Sequence, residues 1–374
     1  MEPEPKKSRA PVRVWCDGCY DMCHFGHSNS FRQAKAMGDV LVVGVHSDDE
    51  VSKHKGPPMM TDEERYKMVR SVKWVDEVIE DAPYITYVST LDKYKCDFCV
   101  HGDDISTSSD GTDSYAEVKN ADRFKECRRT TGISTTDIVG RLLLATRQRR
   151  GGKESPLESM DTQALGSFVE GFGGRSAQTG VSHFLPTTQK IIQFSSGRVP
   201  GEGDKIIYTV GSFDIFHCGH VDFLKKAKEL GDFVIVGVNT DQDVNYYKGG
   251  GNFPIMTLHE RVLSVLACRY VDEVVIGAPY EVTQELIDHF KITVVAHGKT
   301  PIVLNQEGKD PFHVPKQLGI FQVIDSGNKM TSQTIIDRII AQRLMYEERN
   351  RKKSEQQKIQ NALAELQQRR DSTS

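Results

Sequence analysis

Three features of the chain predict an α/β protein built from two tandem doubly wound parallel-sheet domains. Short β-branched runs alternate with helix-like segments, the order expected where helices cover both faces of a parallel sheet. At Val14–Ala34 an apolar run ends in Asp17-Gly18, crosses a short turn and enters a helix-like segment through His24-Phe25-Gly26-His27. The same phrases then recur in the same order. His24 and His217, like Lys55 and Lys248, stand 193 positions apart (217 − 24 and 248 − 55), while Arg65 and Arg261, like His101 and His297, stand 196 apart. Asp76-Glu77-Val78 returns as Asp272-Glu273-Val274 and Ala82-Pro83-Tyr84 as Ala278-Pro279-Tyr280. Chance does not hold such a register over a hundred residues, so the chain is a tandem duplication.

Composition narrows the class. A chain of 374 residues has room for two domains, and 38 % hydrophobic with 27 % charged residues is ordinary for a soluble globular protein. The net charge of −4 gives no basic footprint for nucleic acid, although Arg147–Arg150 is locally basic. Residues 1–11 are charged and lack the apolar core of a secretory signal, and no apolar run approaches a membrane span, so a cytoplasmic location is expected. Cys16, Cys19, Cys23 and His24 suggest a zinc site, but the second copy carries Thr209, Ser212 and Phe216 at the cysteine positions. Cys96 and Cys99 likewise match Ile292 and Val295. These cysteines therefore read as reduced and mostly buried, with no metal held by protein ligands.

Taken in order, Asp39–Val45 is a β-branched run of the kind buried in a parallel sheet. Residues 47–58 read as a polar loop containing Lys53 and Lys55-Gly56. Thr61 followed by Asp62-Glu63-Glu64 signals a capped helix running to Val72. Val75–Ile79 and Cys96–Val100 read as further strands, the latter ending in His101-Gly102-Asp103-Asp104. Arg128-Arg129-Thr130-Thr131-Gly132-Ile133-Ser134-Thr135-Thr136-Asp137 precedes the last helix of the copy. The expected partition is a first domain over 11–146, a Gly/Ser/Arg/Gln-rich linker over 147–189, a second domain over 190–345 and a charged helical tail over 346–374. Phe168, Phe172 and Phe184 could dock the linker on a domain, and Ile335, Ile336, Ile339 and Ile340 mark a last packing helix. The tail lacks the broad apolar face of a membrane-surface helix, which leaves at most peripheral membrane association.

The helix start at His24 reads as a phosphate site. Its backbone N–H groups and dipole favour an anion, the imidazoles of His24 and His27 add donors, and Gly26 permits close approach. The stretch from Arg129 combines guanidinium groups, a glycine and hydroxyls at a second helix start, which suits a polyphosphate.

Together HxGH, the Lys-Gly segment and RTTGISTT resemble the cytidylyltransferases of the HxGH nucleotidyltransferase superfamily, over essentially the whole chain. The tandem duplication resembles the phosphoethanolamine branch of that family rather than the single-domain choline branch. The resemblance implies a Rossmann-like fold in each copy and transfer of CMP from CTP to phosphoethanolamine, with Mg²⁺ carried on the triphosphate. It implies His24, His27, Lys55 and Arg129 as catalytic groups. Cys19, Tyr20, Gly26, Thr130, Gly132, Ile133, Ser134, Thr135 and Thr136 join them around the nucleotide. For the substrate ammonium, Asp21 and Asp103 are the expected acceptors and Tyr84 the aromatic wall. Phosphocholine, glycerol 3-phosphate and an adenylyl donor remain alternatives, as does a non-catalytic nucleotide sensor, and a homodimer is possible.

The second copy keeps Asp214, His217, His220 and Lys248, but Ser326 stands at the Arg129 position and Lys299 at that of Asp103. A nucleotide pocket formed by Gly211, Ser212, Phe213, Asp214, His217, His220, Lys248, His297 and Gly298, in a supporting role, is the expectation. A regulatory site, a domain completing the first site and plain structural inheritance are the alternatives.

Overall fold

The computed structural model describes residues 9–103, 106–108, 111–149, 189–250, 253–305, 307–342 and 351. Linker residues Phe168, Phe172 and Phe184, most of the tail, and Asp104 lie outside the described residues.

The first sheet contains β1 (Arg13–Gly18), β2 (Val40–Val45), β3 (Glu77–Glu80), β4 (Phe98–Gly102) and β5 (Phe124–Cys127), in the order β3-β2-β1-β4-β5. Every pairing is parallel. Helices α1 (Phe25–Lys35), α2 (Asp48–Lys55), α3 (Asp62–Ser71), α4 (Val88–Lys93), α5 (Ala116–Asn120) and α6 (Thr135–Arg149) make the crossovers and close the domain. The second sheet repeats the plan with β6 (Ile206–Gly211), β7 (Phe233–Asn239), β8 (Glu273–Ala278), β9 (Val294–Gly298) and β10 (Phe321–Ile324), ordered β10-β9-β6-β7-β8. Its helices are α7 (Cys218–Lys228), α8 (Asp241–Tyr247), α9 (Leu258–Leu266), α10 (Gln284–Phe290), α11 (His313–Gln317) and α12 (Ser332–Ala341). Both are doubly wound Rossmann-like folds. In each the central strand, β1 or β6, has its neighbours on opposite sides of a switch in strand order, and ligands gather at the carboxyl ends beside such a switch.

The sequence misread one element near the site. Most of the stretch expected to be a polar loop at 47–58 is helix α2. Ser47 caps it, Asp48, Asp49 and Glu50 fill its first turn, and Lys53, His54 and Lys55 its last, so its charges complement the helix dipole at both ends. Only Val51 is buried, which is why no apolar period marks it. Lys55 is therefore the last residue of a helix, followed by Gly56 at φ +82°.

The two domains share one interior. A single apolar cluster runs from Val14 and Phe31 in the first to Val238 and Ile339 in the second. A narrow seam between the domains is lined by Met60 and Met68 from one side and by Phe216 and Met256 from the other, with His24 and His217 at its walls. Contacts across it recur with the copies exchanged. Val72 and Cys268, which occupy matching positions, form an antiparallel bridge. The Lys73 N–H donates to Ala267 O at 3.0 Å and the Arg269 N–H to Ser71 O at 2.9 Å. Arg141 forks onto Glu260 at 2.7 and 3.0 Å, and Arg338 forks onto Glu64 at 2.7 and 2.9 Å. The chain thus packs against its own copy about a pseudo-two-fold axis.

Candidate active site

Strand β1 delivers the chain to a turn that holds Tyr20 at φ 53° and Met22 at φ 47°, left-handed conformations imposed where the backbone swings back into α1. His24 is the N-cap of that helix. Its Nδ1 accepts the Gly26 N–H at 3.1 Å, and its own N–H donates to His27 Nδ1 at 3.3 Å. The two rings stack with centroids 3.9 Å apart. Because both Nδ1 atoms accept hydrogen bonds, each neutral ring carries its proton on Nε2, which is then the ring's donor. Burial holds the His24 pKa well below its ordinary value, with the charges of His27 and Arg129 adding to the effect. His24 is therefore a neutral hydrogen-bond donor at pH 7.

Two readings made from the sequence change here. The first-turn N–H of Gly26 is taken up by His24 itself, so the donors on offer are imidazole Nε2–H groups. Gly26 also serves internal packing: a Cβ there would lie 2.9 Å from the His24 ring and 2.9 Å from Ile133.

The start of α6 lies against this turn. Thr135 Oγ1 donates to Asp21 O at 3.0 Å, and Asn29 Nδ2 donates to Thr130 Oγ1 at 2.9 Å. Ser134 caps α6, accepting the Asp137 N–H at 3.1 Å and donating to its carboxylate at 2.6 Å. Gly132 at φ 82° turns the chain between the exposed Arg129 and the helix. The hydroxyl protons of Ser134 and Thr135 are thus engaged within the protein, while Thr130 accepts a bond and keeps its own O–H as a donor. Cys19 gives its carbonyl to Arg65 Nη1 at 2.7 Å, and Tyr20 packs edge-on against His27 at 5.5 Å. Lys55 Nζ sits 5.5 Å above the Tyr84 ring, whereas Lys53 pairs with Glu50 at 2.8 Å.

The residues expected to receive the ammonium are differently employed. Both carboxylate oxygens of Asp21 accept backbone N–H groups, from Met59 and Met60, each at 2.9 Å. Asp214 does the same with Ile255 and Met256 in the second domain, so this is a job of the fold, not of a substrate site. Asp103 accepts the Arg129 N–H at 3.1 Å and so ties down the arginine's backbone. Tyr84 is buried, with the His54 ring stacked on it at 4.0 Å, which makes it a support for His54 and Lys55 and not an open wall.

The group that the sequence reading missed is Asp17, at the carboxyl end of the central strand. It is 3 % exposed, its Oδ2 has no hydrogen-bond partner, and burial raises its pKa to about 7. His46 Nε2, from the end of β2, faces that oxygen at 3.9 Å. His46 Nδ1 lies 3.0 Å from the Ala82 carbonyl, which only accepts, so the proton is on Nδ1 and Nε2 is a lone pair. Burial lowers the His46 pKa to about 4. The Asp17 Oδ2 and the His46 lone pair thus face each other, with Thr86, Tyr115 and Trp15 bonding to the carboxyl group and the Lys55 charge acting on both residues. The second domain has Val210 and Asn239 at these positions, and Asn239 donates to Ala278 O at 3.2 Å, reproducing only the structural half of His46. A carboxylate in one copy against valine in the other, at a buried strand position, is the signal that would have found it.

The second domain keeps the histidine cap, with Gly219 N–H to His217 Nδ1 at 3.1 Å and His217 N–H to His220 Nδ1 at 3.3 Å. Two contacts at the site differ from the first domain. Phe216, where the first domain has Cys23, stacks on His220 at 5.5 Å. Lys299 pairs with Asp325 at 2.7 Å across the site's edge. Others are kept: Ser212 gives its carbonyl to Arg261 at 2.6 Å, as Cys19 does to Arg65, and His297 bonds the Gly298 carbonyl at 2.6 Å, as His101 does that of Gly102.

A doubly wound sheet whose central strand leads to a helix capped by paired imidazoles, with a cationic second helix start beside it, defines a nucleotidyltransferase. The sequence model of the cytidylyltransferase-like family matches residues 15–141 and 208–313, one match in each domain. The chain is 56 % identical over 360 residues to the ethanolamine-phosphate cytidylyltransferase of Mus musculus, covering 91 % of this chain and 89 % of that one. It is 52 % identical over 351 residues to the enzyme of the same name from Dictyostelium discoideum, covering 92 % and 95 %. The choline-phosphate cytidylyltransferase 2 of Arabidopsis thaliana is similar over 144 residues only, at 44 % identity, covering 37 % of this chain and 47 % of that one. The chain belongs to the cytidylyltransferase-like family, in its ethanolamine-phosphate branch. No helix among the described residues is long and apolar enough to cross a membrane.

Proposed function

We propose that the first domain transfers the cytidylyl group of CTP to phosphoethanolamine. A phosphate oxygen of phosphoethanolamine attacks the α-phosphorus, and a new P–O bond forms as the bond to the α–β bridging oxygen breaks. The electron pair leaves with pyrophosphate, and CDP-ethanolamine is the other product. The nucleophile is already an anion near pH 7, so no general base is needed. What the protein supplies is alignment and charge stabilisation. The Nε2–H groups of His24 and His27 donate to phosphoryl oxygens, while Lys55 and Arg129 offset the charge of the triphosphate and the departing pyrophosphate. Mg²⁺ fits as an ion carried by the nucleotide. Mg²⁺ typically keeps several waters and is held largely through phosphate oxygens, so the triphosphate itself would supply most of its ligands. When bound it would neutralise part of the triphosphate charge.

The observation that carries the choice of acceptor is the facing pair of Asp17 and His46 in the first domain. A primary ammonium has three N–H donors, enough to satisfy the Asp17 carboxylate and the His46 lone pair together. A quaternary ammonium has none and would leave His46 Nε2 unsatisfied. A matrix of CTP and ATP against phosphoethanolamine and phosphocholine, read by pyrophosphate release, tests this. Turnover is expected with CTP and phosphoethanolamine; equal rates with phosphocholine would defeat the assignment.

Asp17→Asn should raise KM for phosphoethanolamine by roughly ten- to a hundred-fold, the weight of a charge-assisted hydrogen bond, and leave KM for CTP within about two-fold. The pH dependence follows in sign. A carboxyl group whose folded pKa is raised to about 7 is protonated below that pH and ionised above it. Ammonium binding therefore strengthens as pH rises through 7, over and above the substrate phosphate's own titration. Asp17→Asn should lose that component. Folding stability runs the other way: the unfolded carboxyl ionises from its ordinary pKa while the buried one holds its proton to about 7, so stability falls across that window and Asp17→Asn should match or exceed the wild-type Tm above pH 7. A wild-type-like KM profile in the variant would place the ammonium elsewhere.

For the second domain we infer nucleotide binding without turnover, around residues 211–214, His217, His220, Lys248, His297 and Gly298. The retained histidine cap and Lys248 support binding, and the lost Arg129, Asp103 and Asp17 equivalents argue against chemistry.

A further inference from the structure

We infer that Arg338, on the last helix of the second domain, is a positioning residue for the active site of the first, an inference that rests on the cytidylyl-transfer reading above. The segment 59–61 joins the Lys55 end of α2 to α3, and its backbone is gripped from three directions. Asp21 accepts the N–H groups of Met59 and Met60. Arg65 Nε donates to Met60 O at 3.3 Å. Arg338 Nη1 donates to Met59 O at 3.3 Å while the same guanidinium forks onto Glu64 at 2.7 and 2.9 Å. Glu64 Oε2 in turn accepts the Thr61 N–H at 2.9 Å, closing the capping box of α3.

This junction touches each part of the site. Asp21 stands in the turn that leads to His24, and its carbonyl accepts the Thr135 hydroxyl at the start of α6. Gly56, between Lys55 and the junction, sits at φ +82° with no atom within 4 Å of where a Cβ would be, so it offers little local restraint. The placement of Lys55 thus depends on the anchored segment beyond it. A bidentate guanidinium fixes direction as well as distance, which a single ammonium does not. The second domain, whatever its own ligand, lends the first one a fixed point.

An interdomain fork could be adhesive alone, and the duplication supplies the control. Arg141 forks onto Glu260 just as Arg338 does onto Glu64, but the loop steadied there belongs to the degenerate site. The two forks onto glutamate are alike as glue, but of the two arginines only Arg338 also donates to a loop carbonyl, Met59 O, beside the first site.

The test compares Arg338→Met with Arg141→Met in the full chain, recording Tm, kcat, KM and calorimetric CTP binding without acceptor. Similar falls in Tm are expected for both. Arg338→Met should lose about 10- to 100-fold in kcat/KM for CTP, as expected for a misplacement on the order of 1 Å, and Arg141→Met should stay within about two-fold of wild type. Arg338→Lys should recover Tm more fully than kcat. Parallel activity losses in the two Met variants, or none in Arg338→Met, would overturn the inference. If Arg338→Met fails to fold, Glu64→Gln and Glu260→Gln form the same matched pair and are read the same way. CTP binding is independent of the phospho-alcohol, so a wild-type protein that binds CTP but makes no CDP-ethanolamine would count against the substrate assignment, not against Arg338.

Discussion

Replacing His24 or His27 is expected to lower turnover by about a hundred- to a thousand-fold each, the range found when one preorganised donor to a developing charge is removed. The expectation rests on the reciprocal cap at the start of α1. Each Nδ1 accepts a hydrogen bond, so each neutral ring has its donor fixed on Nε2 before any ligand arrives. His24→Ala removes this donor and the helix cap together, which adds about 1 kcal/mol of lost stability. His24→Asn separates the two, because asparagine caps well and its side-chain oxygen can take the Gly26 N–H. A folded His24→Asn protein with wild-type kcat would refute the role assigned here. The pair should also be non-additive: the rings cap and stack on each other, so losing the first already loosens the second. Since His24 stays neutral well below its ordinary pKa, its ionisation should place no limb in the rate profile between pH 6 and 9.

Much of this was legible in the chain. The alternation of β-branched runs with helical segments and the repeated register specify two parallel sheets, because each reflects a local period. HxGH and RTTGISTT lie at helix starts, where short-range backbone chemistry governs, and they meet as expected. What the sequence hid falls into two kinds. Asp17 and His46 stand inside or just after apolar strands, where the eye reads pattern and passes over a single polar residue; only the comparison with Val210 and Asn239 exposes them. The contacts of Asp21 with Met59 and of Arg338 with Glu64 join residues 38 and 274 positions apart, which no local pattern encodes. Asp21 was the more misleading, since an acid beside a catalytic motif invites a substrate role while its backbone partners are invisible in one dimension.

The shared interior also changes how the division of labour between the domains is best examined. Cutting the chain would expose the seam residues Met256 and Ile335 of the second domain, each large buried apolar side chain being worth about 1.5–3 kcal/mol, along with the half-buried Phe216. The full-length Arg129→Ala protein is the sounder instrument. It should show no residual synthesis of CDP-ethanolamine, a loss of at least about a thousand-fold, on the scale of a guanidinium that stabilises phosphoryl-transfer charge. The residue at the matching position of the second domain cannot replace it. Ser326 stands at the matching position, and a hydroxyl carries no charge to offset a leaving pyrophosphate. Lys299 is engaged with Asp325 at the edge of that site, and it would repel an ammonium substrate. Val210 removes the carboxylate that the ammonium needs. His217→Asn, by contrast, should leave turnover in the first site largely intact and reduce the number of CTP molecules bound per chain from two to one. Equilibrium dialysis with labelled CTP alongside the turnover assay distinguishes the outcomes. Measurable CDP-ethanolamine synthesis by Arg129→Ala that disappears on adding His217→Asn would reveal a second working site and overturn the one-site assignment.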